Sequence, residues 1–411
     1  MRNRQYTKIV NIIGILVGFG LGQGTLFAIS SFLIVNGKLS LVGELGLVFG
    51  TLSLIIWIID FGGIYYLTHL VVTSKVEDTA QVILGRLCFA IIVSFIVIIF
   101  YIYFPSLTFE FKTVALGVAF VGPVWAFNIL GLIEAKGYAG VAGLFNNINI
   151  LLASLYVSVS VINDLKIYPE FFALTYMAGT VFTVICQYYF ASKYLAIFAN
   201  MKISYIPEYK KIKHFISFGS GIALSQLPGQ TYPRILIWLV NLQLGTNVGG
   251  IFVYLKNINN IIAQIITAIR RVEYRELLIS VNSNNHTYLK LIWMQKLGIY
   301  FSTLVFIASI FIFQYYNNET FEELTVYFPA YLLIIIFWTF ASAGGQCLIA
   351  QGKSYAYAII NSIFVLCAVF GCWILLDYWN LWTIPIIEII MHFCQFIIYG
   401  YFIKIDSNRI I

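Results

Sequence analysis

Apolar stretches long enough to cross a bilayer follow one another along almost the whole chain, and only short charged or turn-rich segments separate them. Of the 411 residues, 61% are hydrophobic and 10% are charged, whereas a soluble domain carries about 25% charged residues. A soluble fold cannot bury so much apolar surface. At about 20 residues per transmembrane helix, the chain has room for roughly twelve helices with short connections. We therefore expect an all-α integral membrane protein without a soluble domain.

Twelve spans are predicted from the apolar stretches and the breaks between them. The first stretch follows Arg2, Arg4 and Lys8 and is too long for the apolar core of a cleaved signal peptide, so we interpret it as a span. The predicted spans lie near 9–35, 43–70, 81–104, 113–134, 140–162, 168–198, 213–242, 248–269, 289–314, 325–350, 354–376 and 381–403.

The basic residues are distributed unequally between the two sides of this predicted topology. With the amino terminus in the cytoplasm, 19 of the 24 Lys and Arg residues fall on the cytoplasmic side, and only Lys38, Lys112 and Lys166 fall on the other. Cytoplasmic loops of membrane proteins carry such an excess. Because the number of spans is even, both termini are expected in the cytoplasm.

Weak self-similarity divides the chain into two halves. Phe19-Gly-Leu-Gly22 in the first span matches Phe218-Gly-Ser-Gly221 in the seventh, and the exits of the fourth and tenth spans, 132–138 and 348–355, are also alike. We therefore predict two six-helix bundles around a central cavity, the architecture of an alternating-access carrier. The predicted boundaries are 1–200 for the first bundle, 201–214 for a cytoplasmic linker and 215–411 for the second bundle.

Several segments resemble the polysaccharide-unit flippases (Wzx type) of the multidrug/oligosaccharidyl-lipid/polysaccharide (MOP) exporter superfamily. They are Gly43–Gly50 running into Ile59–Gly63, then Pro123–Lys136, Phe218–Leu227 and Leu244–Tyr254. One departure matters: many members of that family carry a basic residue inside the first span, whereas Ile9–Val35 has no charge. Any anion-binding role must therefore be supplied elsewhere.

The resemblance implies a function in the bacterial inner (cytoplasmic) membrane. A flippase of this family moves an undecaprenyl-pyrophosphate-linked oligosaccharide from the cytoplasmic to the outer leaflet, before polymerisation into O-antigen, capsule or a similar polymer. The expected partners are this lipid-linked cargo, membrane lipid, and the polymerase and chain-length proteins of the same pathway. No cofactor and no nucleic-acid partner are expected, and a proton or sodium gradient is expected to drive the transport.

Two basic residues, Arg234 and Lys256, fall within apolar segments. A charge at the bilayer centre costs ~2.5–3.5 kcal/mol on insertion scales, so such groups usually face a cavity or a partner. Pro228, Gly229 and Pro233 precede Arg234 and are expected to interrupt its helix, and the guanidinium fork suits phosphate oxygens. Arg234 and Lys256 therefore either bind the pyrophosphate in the cavity or extend outward to the membrane surface.

Three further residues are candidates for contact with the substrate. Arg86 lies near the cytoplasmic end of its span, where it either anchors the helix at the membrane interface or contacts the headgroup of the cargo. Trp125 and Tyr232 either stack on sugar rings or pack within the protein, as most aromatic residues of membrane helices do.

Titratable groups within apolar stretches are candidates for ion or proton coupling. Asp60 lies in an Asp-Phe-Gly-Gly sequence, where its alternative role is to cap a kink. Glu388 and His392 lie one turn apart on one helical face, where they either carry the coupling proton or make a structural polar contact between helices. The six cysteines all lie in apolar stretches without metal-ligand spacing, so no metal site is expected.

Two other functions compete with the flippase. A multidrug and cation antiporter of the related MATE type would favour a cavity dominated by carboxylates. A membrane enzyme, such as a polysaccharide polymerase, ligase or lipid-dependent glycosyltransferase, would need a large catalytic outer loop, but the longest predicted outer loop has about ten residues. That loop holds Glu319, Glu322 and Glu323 without histidine. We therefore expect a transporter.

Overall fold

The chain folds into helices joined by short turns. In a computed structural model, the described residues are 2–72, 75–103, 109–195, 208–282, 319–351 and 353–407, with isolated positions between 296 and 308. The helices are α1 (Arg2–Phe19), α2 (Thr25–Val35), α3 (Leu39–Asp60), α4 (Gly63–Val72), α5 (Thr79–Tyr103), α6 (Phe109–Trp125), α7 (Leu130–Ala135), α8 (Ala139–Asn146), α9 (Ile148–Ile162), α10 (Pro169–Tyr194), α11 (Tyr209–Leu244), α12 (Thr246–Asn282), α13 (Glu319–Ala350), α14 (Ser354–Trp379) and α15 (Thr383–Ser407). A wider, π-helical turn at Gly20–Gly24 joins α1 to α2.

Within the described part of the chain, seven helical stretches are long and apolar enough to cross a membrane. They are Ile9–Val35, Leu39–Asp60, Val76–Tyr103, Ala139–Ile162, Pro169–Tyr194, Leu324–Ile349 and Tyr355–Ile403. The predicted class, an all-α multi-pass membrane protein, is confirmed. The predicted ninth span, 289–314, lies outside the described residues except for isolated positions.

Two predicted spans are broken inside the protein. The span predicted at 43–70 consists of α3 and α4, and the backbone reverses its handedness between them at Phe61 (φ 46°) and Gly62 (φ 73°). A left-handed conformation costs a residue with a side chain about 1–2 kcal/mol, so the break needs support from neighbouring groups. The span predicted at 113–134 is likewise divided into α6 and α7 by residues 126–129.

The expected interruption of the seventh span by proline was wrong. Helix α11 runs without a break from Tyr209 to Leu244 and includes Pro228 and Pro233. Within a membrane, a backbone group released by proline finds no water, so the helix persists and nearby side chains support it. Between the two prolines, the Thr231 hydroxyl adds hydrogen bonds to the carbonyl oxygens of Leu227, at 2.8 Å, and Pro228, at 3.4 Å. Neither of these is the carbonyl that a proline leaves without its donor.

Glycines allow α1 to pack closely against α8 and the start of α9. A Cβ atom added to Gly14 would lie 2.7 Å from the Gly140 Cα, and one added to Gly18 would lie 2.1 Å from the Gly143 carbonyl oxygen. The third glycine of this ridge, Gly22, lies in the same way against Asn147. Small residues at a four-residue spacing, as at Gly14, Gly18 and Gly22, are typical of closely packed membrane helices, and the structure shows such packing here.

The chain forms two compact units. Unit 1 contains residues 1–29 and 47–224, and unit 2 contains residues 30–46 and 225–411. In unit 2 the start of α3 packs against α12, where a Cβ atom on Gly43 would lie 2.7 Å from the Thr246 carbonyl oxygen. The predicted bundles at 1–200 and 215–411, with a linker at 201–214, stay a prediction because residues 196–207 are not among those described.

Candidate functional site

Arg86 is the centre of a buried network in unit 1. Its side chain is fully buried, and its Nη2 atom lies 2.6 Å from Oδ1 of Asp60. The guanidinium also donates from Nη1 to the Asn128 carbonyl oxygen and from Nε, at 3.4 Å, to the Asp60 carbonyl oxygen. The expected position at the membrane interface was therefore wrong. At the breaks after α3 and α6, backbone carbonyl groups inside the protein lose their helical hydrogen-bond donors. Arg86 lies inside the protein because its N–H groups replace those donors.

Asp60 stabilises the restart of the broken span. Its Oδ1 atom forms the ion pair with Arg86, and its Oδ2 atom accepts a hydrogen bond of 3.2 Å from the backbone N–H of Ile64. The carboxylate thus caps the first turn of α4, where a negative charge is favourable. Of the two roles considered for Asp60, the structure shows the contacts of a cap, while proton coupling stays a prediction.

Amide side chains complete the network beside α7. The Asn128 Oδ1 atom accepts from the backbone N–H of Leu130, and Gln187 Oε1 accepts from that of Ile129, both at 2.9 Å. Trp125, the last residue of α6, is 6% exposed, and its indole N–H has no hydrogen-bond partner among the described residues. Trp125 therefore packs inside unit 1, and its predicted stacking on sugar stays a prediction.

Unit 2 holds a second ion pair, in which the carboxylate is buried and the ammonium is partly exposed. Lys256 on α12 donates to Oε1 of Glu388 on α15 at 2.5 Å, and the two side chains are 15% and 2% exposed. The ammonium also lies 5.8 Å from the centre of the Phe252 ring, one turn earlier on the same helix. Lys256 therefore turns to a carboxylate instead of extending along the membrane to its surface.

Neutral polar groups surround Glu388. Tyr232 on α11, Tyr331 on α13 and Cys372 on α14 are buried, and all three lie close enough to interact electrostatically with its carboxylate. The Tyr331 hydroxyl has no hydrogen-bond partner among the described residues. Tyr232, predicted to line the substrate cavity, is thus brought to the Lys256–Glu388 pair.

His392 and Glu388 take different partners although they lie one turn apart. The His392 Nδ1 atom shares a hydrogen bond of 3.0 Å with Gln395, whose amide donates at 3.0 Å to Asn361 on α14. This chain of polar side chains joins α15 to α14. The predicted polar contacts between helices are therefore present: Glu388 joins α15 to α12 through Lys256, and His392 joins α15 to α14 through Gln395. Proton coupling by either residue stays a prediction.

Arg234 is half-buried on α11. Its guanidinium donates to the backbone oxygen of Gln230 and, at 3.2 Å, to the side-chain oxygen of the same residue. Because residues two apart on a helix point in nearly opposite directions, Arg234 lies on the face away from Tyr232. These two contacts with Gln230 lie within α11 and do not join Arg234 to the cluster around Glu388.

Sequence reasoning missed two members of the unit 2 cluster, Tyr331 and Cys372. It also singled out Lys256 and Glu388 separately and did not predict that they pair. The available signal was that two opposite charges lie within apolar stretches of the same half of the chain, where an unpaired charge is costly.

No family model matches the chain, and no curated protein matches it in sequence. Solved structures do match. A MATE transporter in complex with MaL6 has a TM-score of 0.68 at 14% identity, over 98% of this chain and 97% of the other. An inward-facing multidrug resistance MATE family transporter of the MOP superfamily has a TM-score of 0.68 at 15% identity, over 98% and 96%. A MOP superfamily transporter from Pyrococcus furiosus has a TM-score of 0.69 at 14% identity, over 98% and 96%. The chain therefore has the fold of the MATE transporters of the MOP superfamily.

Proposed function

We propose that the protein is a flippase that moves an undecaprenyl-pyrophosphate-linked oligosaccharide from the cytoplasmic to the outer leaflet of the bacterial inner membrane. The pyrophosphate and sugars would pass through the protein by ion-coupled alternating access while the polyprenyl tail stays in lipid. The fold supports a carrier of this type, because matching structures are described in both inward-facing and outward-facing conformations. A polymerase and chain-length proteins would then use the cargo on the outer side.

The proposal that the cargo is anionic rests on the ion pairs that the intramembrane carboxylates already form. Asp60 and Glu388, the two acids that the sequence places within apolar stretches, are 6% and 1% exposed and already pair with Arg86 and Lys256. A cationic drug would have to break a buried ion pair to use either carboxylate. The cation Arg234 is only half-buried, and a planar guanidinium suits phosphate oxygens.

Replacing Arg234 tests the substrate assignment. In a flippase-deficient strain complemented with Arg234→Gln, we expect surface polymer to fall about tenfold or more, because a hydrogen bond to a charged group contributes ~1.5–3 kcal/mol. Arg234→Lys keeps the charge and should retain more polymer than Arg234→Gln. Immunoblots of surface polymer, normalised to the amount of flippase in the membrane, provide the measurement. Full surface display by Arg234→Gln would exclude Arg234 from the site.

Multidrug extrusion is the second candidate function, because one matching structure is described as a multidrug resistance transporter. Within the same fold, however, the Pyrococcus furiosus transporter is described as having a binding pocket of reversed polarity that suggests a different function. Drug-susceptibility profiles of a deletion strain separate the two candidates. We expect unchanged susceptibility to cationic drugs and a loss of surface polymer; the opposite pattern would support extrusion.

A further inference from the structure

The partners in the Lys256–Glu388 pair are unequally accessible. The lysine side chain is 15% exposed, whereas the glutamate side chain is 2% exposed. An ammonium group held this deep among apolar helices is unfavourable against lipid, so its exposed part is expected to face water or polar cargo. Any anion that reaches the pair therefore meets Lys256 first.

Lys256 forms the ion pair with Glu388, and other polar side chains surround the carboxylate. The groups that face it from the packed helices are Tyr232 on α11, Lys256 on α12, Tyr331 on α13 and Cys372 on α14, with His392 on its own helix. Of these, Lys256 makes the ion pair, and His392 shares its hydrogen bond with Gln395. If Lys256 turned to another anion, the carboxylate would stand among neutral hydroxyl and thiol groups in a poorly solvated site, where the ionised form is costly.

We propose that Lys256 and Glu388 form an exchange switch in which the anionic headgroup of the cargo takes Lys256 from Glu388, and the released carboxylate binds a proton. This inference rests on the proposed function, because it requires a phosphate-bearing cargo. In the resting state the ammonium pairs with the carboxylate. In the loaded state the ammonium pairs with a phosphate oxygen, and a proton from water converts the carboxylate to a carboxylic acid. Release of the cargo reverses both changes.

The ion pair determines whether a bound proton strengthens or weakens the binding of the anion. Protonation of Glu388 frees Lys256, so proton and anion favour each other's binding, and the linkage is reciprocal. The proton then travels outward with the cargo and reduces the negative charge that must cross the membrane. An inward proton gradient, which the family resemblance led us to expect as the driving force, therefore opposes this movement, and the membrane potential must drive it. A pyrophosphate diester keeps a net negative charge after one proton is added, so an inside-negative membrane potential still favours its outward movement.

The test measures proton uptake on binding. The purified protein is placed in nanodiscs of zwitterionic phosphatidylcholine, and the probe is farnesyl pyrophosphoryl glucose, in which both phosphates are esterified and hold their charge around neutral pH. Calorimetry in two buffers of different ionisation enthalpy counts the protons taken up, and titrations at several pH values give the affinity. For the wild-type protein we expect one proton bound per probe, and an affinity that rises about tenfold per unit fall in pH.

Three variants separate the switch from a fixed binding site. Glu388→Gln leaves Lys256 without its carboxylate, so it should bind the probe more tightly than the wild type, without proton uptake. The double variant Lys256→Met, Glu388→Gln contains no unpaired charge, and it should bind at least tenfold more weakly, also without proton uptake. Asp377→Asn removes an exposed carboxylate from α14 in the same unit and should behave as the wild type.

The outcomes distinguish this inference from the proposed function. Probe binding by the wild type without proton uptake overturns the switch and leaves the flippase proposal intact. The same conclusion follows if Glu388→Gln keeps the pH dependence of the wild type. If the wild type does not bind the probe at all, both the switch and the substrate class are overturned. The wild-type measurement needs no variant, so it decides even if a single replacement prevents folding.

Discussion

Replacing Arg86 with methionine is expected to lower the free energy of unfolding by about 3–5 kcal/mol, the range measured when one partner of a buried ion pair is removed. The guanidinium is fully buried and holds the Asp60 carboxylate at 2.6 Å. It also supplies donors to the carbonyl oxygens of Asp60, the last residue of α3, and Asn128, in the break between α6 and α7. Methionine fills part of the volume but leaves a buried carboxylate and these oxygens without their donor. Unfolding of the purified protein in mixed detergent micelles measures the loss.

Two comparisons identify the cause of that loss. Lys136→Met removes an exposed basic residue from a turn of the same unit, and a change of at most ~0.5 kcal/mol is expected. The double variant Asp60→Asn, Arg86→Met removes both charges, so it should be more stable than Arg86→Met alone. A loss for Arg86→Met as small as that for Lys136→Met would show that the ion pair contributes little to the stability of unit 1.

Gly18→Ala is expected to destabilise unit 1 by about 1–3 kcal/mol, the usual cost of overpacking a close contact. The added Cβ would lie 2.1 Å from the Gly143 carbonyl oxygen and 2.7 Å from the Leu144 Cα. These are backbone atoms, so α1 and α8 must separate to admit the methyl group. Their separation would also stretch the hydrogen bonds of 2.9 Å by which the Asn11 amide joins Gly137 and Gly140. The same unfolding measurement reports the change.

Gly20→Ala is the matched control for this contact. Gly20 lies two residues further along the same continuous helical stretch, and a Cβ added there has no atom within 4 Å. Because alanine restricts the unfolded chain more than glycine does, this variant should be as stable as the wild type or more stable by about 0.5–1 kcal/mol. Equal losses for Gly18→Ala and Gly20→Ala would contradict the close packing of α1 on α8.

The helices could be predicted from the sequence because local features determine them. Long apolar stretches placed the spans, and the four-residue spacing of Gly14, Gly18 and Gly22 indicated which face of the first span packs closely. The prediction for Pro228 and Pro233 failed because it considered the backbone hydrogen bonds that proline removes, but not the further hydrogen bonds that a complete break of the helix would remove. Inside a membrane, a continuous helix leaves fewer backbone groups without hydrogen bonds than a broken one does. Helix α11 therefore continues through both prolines.

The partners of the buried charges could not be predicted in the same way. Lys256 and Glu388 are separated by 132 positions in the chain, and no local pattern specifies which of several apolar helices will be neighbours. The position of Arg86 was missed for a related reason. Its distance from the end of a span suggested the membrane interface, but its real environment is created by breaks in two other spans, at Phe61–Gly62 and at 126–129.

The Asp60–Arg86 pair also has a consequence for the biogenesis of the protein. Asp60 leaves the ribosome 26 residues before Arg86, and each charge alone would oppose partition of its helix into lipid by up to ~2.5–3.5 kcal/mol. Paired, they neutralise each other before either helix must face the bilayer. The segments α3 to α5 are therefore expected to leave the translocon together as one inserted hairpin. A nascent chain halted when Asp60 has left the ribosome but Arg86 has not should hold α3 inside the channel.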